Sequence, residues 1–204
     1  KTALRMVSLS GGSRDNVIPS QARADIWVER AESAHLAIEE MVQILQAEFQ
    51  TSDPGLSVSV ESVQLDAVYT EDLTKRLLRF FSLLPNGVQT LSPDIEGLVQ
   101  TSLNNAVLFE NEGYLVLQTS LRSSKSSQLE ELADQLKQLA ESAGGSYLRQ
   151  NDYPSWDFEV DSPLRDQCLA VYKEVYGLEA RYDAVHAGLE CGFLKKALPE
   201  CDMI

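Results

Sequence analysis

The chain is 204 residues long, 44% apolar and 24% charged, which suits one folded domain or two small ones with ordinary cores. Its net charge of −14 is spread along the chain, and such a field repels phosphate backbones and argues against nucleic acid as a partner. Three cysteines without a CxxC pair give no disulfide framework or zinc knuckle, no apolar run reaches the roughly 20 residues that cross a bilayer, and a reducing cytoplasmic setting is the simplest expectation.

In chain order, Leu4 to Leu9 reads as a strand. Ser10-Gly11-Gly12-Ser13-Arg14-Asp15-Asn16 then reads as a glycine turn held by short polar side chains. Two readings of it stay open: a polar hairpin without duties, or a rigid turn presenting Asn16, with Arg14 beside it, to a carbonyl or carboxylate. A second strand is expected over Val17 to Glu29, where Ala22, Ala24, Ile26 and Val28 alternate with polar residues. Ala31 to Phe49 is a helix by the spacing of Ile38, Met41, Val42, Leu45 and Phe49. Leu56 to Leu65 alternates as a strand. Thr70 opens a helix with Glu71 and Asp72 in its first turn, and Pro85-Asn86-Gly87 stops it.

The second half repeats the plan loosely. Val99 to Phe109 is a strand interrupted by a bulge-like Asn104-Asn105, Asn111-Glu112-Gly113 is a hairpin turn, and Tyr114 to Leu121 is its returning strand. Gln128 to Ala143 is a helix, and Ser146 to Gln150 a strand. The order ββαβα followed by ββαβ predicts an α+β fold of two tandem ferredoxin-like units, about residues 1–85 and 86–157. From Trp156 the character changes. A capped helix over Leu164 to Tyr176, a short strand over Arg181 to Val185, a glycine loop from His186 to Gly192, a helical Phe193 to Ala197 and a closing strand-like run fit part of an α/β layer. A domain boundary is expected near 157/158. Both ends read as cuts in a longer polypeptide.

Chemistry is sparse. His35 stands among glutamates on a helix and reads as a surface residue; His186, at a strand end before a glycine loop, is evenly poised between lining a site and not. Glu190 reads as a site carboxylate or a helix-terminal charge. Arg122, ending a strand before four serines and a lysine, reads as a two-pronged carboxylate grip or a corner arginine. No HExxH appears, so a complete zinc site cannot be assembled.

Three blocks in order, Ser8-Leu-Ser-Gly-Gly-Ser-Arg-Asp-Asn-Val-Ile-Pro19, Leu84-Pro-Asn-Gly-Val-Gln89 with Ser92-Pro-Asp-Ile-Glu-Gly97, and His186-Ala-Gly-Leu-Glu-Cys-Gly192, resemble the bacterial aminoacyl-histidine dipeptidases (Xaa-His dipeptidases, peptidase D). Leu121-Arg122-Ser123-Ser124 and Asp152-Tyr-Pro-Ser-Trp156 fit the same pattern. The resemblance implies a carnosinase-like metallopeptidase with two zinc ions in a catalytic α/β domain and a lid domain inserted into it. Residues 1–157 would be the lid and 158–204 the return into the catalytic domain, with the zinc ligands and the general base outside this chain. It further implies that Asn16 meets the substrate near the scissile group, that Arg122 binds the substrate carboxylate, and that Gly188 borders the substrate, flanked by His186 and Glu190. The implied partners are a dipeptide and, left open, a second copy of the chain as a homodimer; neither nucleic acid nor a membrane is expected. The fragment alone would then be inactive. The competing readings are a non-enzymatic ferredoxin-like module for ligand binding or dimerisation and, ranked last, a thiol hydrolase using Cys191.

Overall fold

A computed structural model describes residues 3–151, 154, 156–182 and 190–204. Its strands are β1 (Leu4–Gly11), β2 (Ala22–Val28), β3 (Gly87–Leu91), β4 (Val99–Asn111) and β5 (Tyr114–Ser123). Its helices are α1 (Ala31–Glu48), α2 (Glu71–Leu83), α3 (Ser126–Ser142), α4 (Pro163–Tyr176) and α5 (Glu190–Ala197). The strands make one antiparallel sheet organised on β4, the longest of them.

β4 carries β5 on one edge from Thr101 to Asn111, and β3 and β1 on the other. Leu103 is paired to both Gly87 and Leu121, and Leu108 to both Gly11 and Leu117. A strand has two edges, so β1 and β3 share one of them, with a gap between their pairing positions. β2 pairs with β1 and closes that side. The β4–β5 hairpin turns through Glu112 and Gly113, whose φ values of 50° and 81° give the doubly positive turn that matches strand twist.

Alternation along β4 and β5 sorts the sheet into two faces. Leu103 and Leu121 face α3, where Leu132 and Leu136 complete a core joined by Leu84 and Tyr147. Gln128, in the first turn of α3, accepts hydrogen bonds from Thr90, Gln100 and Thr101 and fastens that helix to β3 and β4. α2 is capped by Thr70, which accepts from the Leu73 amide, and the buried Thr74 hydroxyl accepts from the Met6 amide of β1. Nearby, Tyr69 donates to Glu110; burial and that carboxylate push its phenol up to about 12.

Several sequence expectations need correction. The second strand is shorter, Ala22–Val28, because residues 12–21 form a turn closed by the Gly12 amide on the Gln21 carbonyl. Residues 56–65, which alternate in sequence, and 146–150, also expected as a strand, form no strand here, since a strand needs a neighbour's hydrogen bonds and none pairs with them among the described residues. Residues 198–204 likewise form no strand. The short β3 was hidden in what read as a helix stop. The expected strand over 181–185 lies mostly outside the described residues. α5 begins at Glu190, so Cys191 and Gly192 are helical.

Candidate functional site

The bulge in β4 assembles the site. Pairing with β5 slips between Asn105 and Val107, which leaves Ala106 unpaired and wholly buried. Gly12, at φ +69°, rests against it so closely that a Cβ would lie 1.8 Å from the Ala106 carbonyl oxygen. The glycine of the turn is therefore required twice, for its backbone angle and for the approach.

The two asparagines of the bulge point opposite ways. Asn105 donates to the Pro85 carbonyl at 2.8 Å and to the Asn86 side chain at 3.2 Å, and accepts from Thr119. Asn104 donates to the Val17 carbonyl at 2.9 Å. Ser102, Asn104, Ser120 and Arg122 share the face away from α3, by register. Hence the Asn16 turn is drawn onto the face that bears Arg122. The base of the turn is held by Ser8, which donates to Asp25 at 2.7 Å, and by Arg23 at 3.0 Å. These two donors, Ser8 first, hold the Asp25 carboxyl below its usual range.

Asn16 and Arg122 are both exposed. Arg122 lines a cleft of about 800 Å³ between the Arg122–Lys125 corner and the segment running from Trp156 through α4. Asn16 and Glu190 do not line that cleft, and Glu190 is an exposed residue in the first turn of α5. His186 and Gly188 lie outside the described residues. His35 faces Glu39 at 3.1 Å on exposed α1.

The far wall of the cleft was not legible in the sequence. The Arg165 guanidinium lies 5.3 Å from the Phe158 ring centre and 5.1 Å from that of Tyr182, and donates to the Glu159 and Val160 carbonyls. Lys125 and Asp157 pair at 3.2 Å. Asp202 accepts from the Leu164 amide at 2.8 Å and from Ser162, which caps α4; these bonds hold its carboxyl below the usual range. Among the described residues, no group of three or more His, Cys, Asp or Glu converges as a metal site. The described residues therefore do not fit a zinc pair.

The fold is a mixed α+β layer on one antiparallel sheet, with a glycine turn and an arginine on its open face. No protein-family model matches the chain. Over 204 residues it is 28% identical to the cytosol non-specific dipeptidase of Escherichia coli K12, covering 98% of this chain and 42% of that one. The crystal structure of aminoacylhistidine dipeptidase from Vibrio alginolyticus matches with a TM-score of 0.90 at 30% identity, over 98% of this chain and 41% of that one. The chain is homologous to a segment of these dipeptidases and spans about two fifths of their length.

Proposed function

We infer that this chain is the substrate-holding part of a bacterial, cytoplasmic, zinc-dependent dipeptidase that hydrolyses Xaa-His dipeptides of the carnosine kind. Residues 1–157 act as its lid and 158–204 as a strip of its catalytic domain. Two runs of strand, strand, helix (β1–β2–α1 and β4–β5–α3) support reading the lid as two ferredoxin-like halves. The zinc ions and the general base belong to residues outside these 204. Arg122 pairs in a two-pronged way with the dipeptide carboxylate, and Asn16 meets the substrate near the scissile group. Gly188, His186 and Glu190 complete the border. A fixed carboxylate orients the peptide carbonyl, which lowers the entropic part of the barrier. Self-association into a homodimer belongs to the same reading, supported by exposed Leu36, Met41 and Ile44 along α1, and sedimentation equilibrium checks it.

The observation that carries this reading is the shared sheet face of Arg122 and the Asn16 turn, with Arg122 at the cleft. The test compares a dipeptide with its C-terminal amide, using the full-length enzyme. Arg122→Ala should raise KM for the acid about 100-fold, the worth of a charge-assisted pair of about 2–3 kcal/mol, and leave the amide nearly unaffected. Equal effects on both substrates would remove Arg122 from the carboxylate.

A further inference from the structure

Asn104 drew attention in the sequence only as half of a bulge. In the fold it stands on the open face of β4, one alternate position from Ser102, whose cross-strand partner is Arg122. Its amide reaches out of the sheet to the Val17 carbonyl at 2.9 Å, the carbonyl of the residue that follows Asn16. The gap between β1 and β3 on that edge of β4 is where the turn enters. The ends of the turn are fixed by Gly12, through its packing on Ala106 and its amide on the Gln21 carbonyl. Between Gly12 and Gln21 the turn has one internal backbone bond, Val17 to Arg14 at 3.4 Å, which is long for its kind. The Asn104 bond is thus what ties the tip of the turn, rather than its base, to the strand beside Arg122.

We propose that Asn104 is a positioning residue that fixes the distance between Asn16 and Arg122, and so the length of dipeptide the two can hold at once; this rests on the substrate-holding role proposed above. An amide is suited to the task because the group to be held is a carbonyl, which needs a donor, and because the donor sits on a short side chain with few rotamers to lose. A carboxylate of the same size would turn the contact into acceptor against acceptor. Arg122 is placed by its own strand, so Asn104 acts through Asn16 alone.

Three variants test it: Asn104→Asp, which keeps the size and removes the donor; Asn104→Gln, which keeps the donor; and Asn16→Ala. In the full-length enzyme, Asn104→Asp is expected to lower kcat for an Xaa-His dipeptide about 10-fold with KM within about threefold, and Asn104→Gln to restore most of that loss. Because the route runs through Asn16, the double variant Asn16→Ala with Asn104→Asp should be no slower than Asn16→Ala alone. In the 204-residue chain, Asn104→Asp should loosen the Asn16 and Val17 amides, their order parameters falling from about 0.85 towards 0.6, while those of β5 stay put. Effects that multiply in the double variant overturn the proposal, as does a turn that stays rigid in Asn104→Asp. A turn that loosens while Asn16→Ala leaves kcat unchanged keeps Asn104 as the tether and removes Asn16 from the substrate, which is a failure of the earlier reading instead.

Discussion

The layer around β4 and the region of α1 with residues 56–68 both carry apolar residues at regular spacing and end in opposite conditions. Leu103 is 2% exposed and packs against α3, Ala106 is buried, and the Asn104 and Asn105 side chains are both hydrogen-bonded. α1 has no buried residue, with Leu36, Met41 and Ile44 all more than half exposed, and Val58, Val60 and Val63 are exposed as well. Apolar residues at helical or strand spacing make a core only where the register of a neighbour supplies the second surface. β4 has neighbours on both edges and a helix over one face. α1 is apolar on more than one side, the pattern of a helix meant to be covered, and meets little.

The sharpest way to break that contrast is at the seam. Gly12→Ala forces a Cβ into the Ala106 carbonyl at a positive φ, and should cost roughly 4 kcal/mol, read as a lower urea midpoint. A stable Gly12→Ala protein would mean that the turn does not lean on the bulge. Leu103→Ala opens a cavity under α3 and should cost about 3 kcal/mol in the same titration. The third effect is local and depends on pH. The depressed Asp202 carboxyl stays ionised in the fold where it would be protonated in the unfolded chain. Its support of α4 is therefore full above about pH 3.8 and fades as pH falls through the lower native value. Protection of the Leu164 amide, taken relative to its intrinsic exchange rate at each pH, should fall on acidification in that range, and in Asp202→Ala it should be low at every pH. The smallest effect on the stability of the single chain is expected from Ile44→Lys, less than about 0.5 kcal/mol, because nothing within the chain buries that side chain. A loss near that of Leu103→Ala would show α1 to be covered after all.

Much of the architecture was legible residue by residue. Thr70 and Ser162 announced their helices by cap chemistry, and Glu112-Gly113 its hairpin. The asparagine pair announced the bulge, though not what it holds. The alternating 56–65 forms no strand because side-chain pattern gives the face a residue would occupy, while strand formation needs hydrogen bonds from another segment. Arg165 was passed over because its aromatic partners, Phe158 and Tyr182, lie on either side of it at sequence distances that carry no periodic signal.

What the sequence determined by itself is local: which segments are helical, where they are capped, where the backbone must take a positive φ, and the ordered blocks that tie the chain to dipeptidases. What only the tertiary structure decided is that the turn of Asn16 and the strand end of Arg122 share one face. They are about a hundred positions apart, and the link runs through the register of β4 with β5 and a single amide from Asn104. Register is a property of two strands together, so neither one's residues could disclose it.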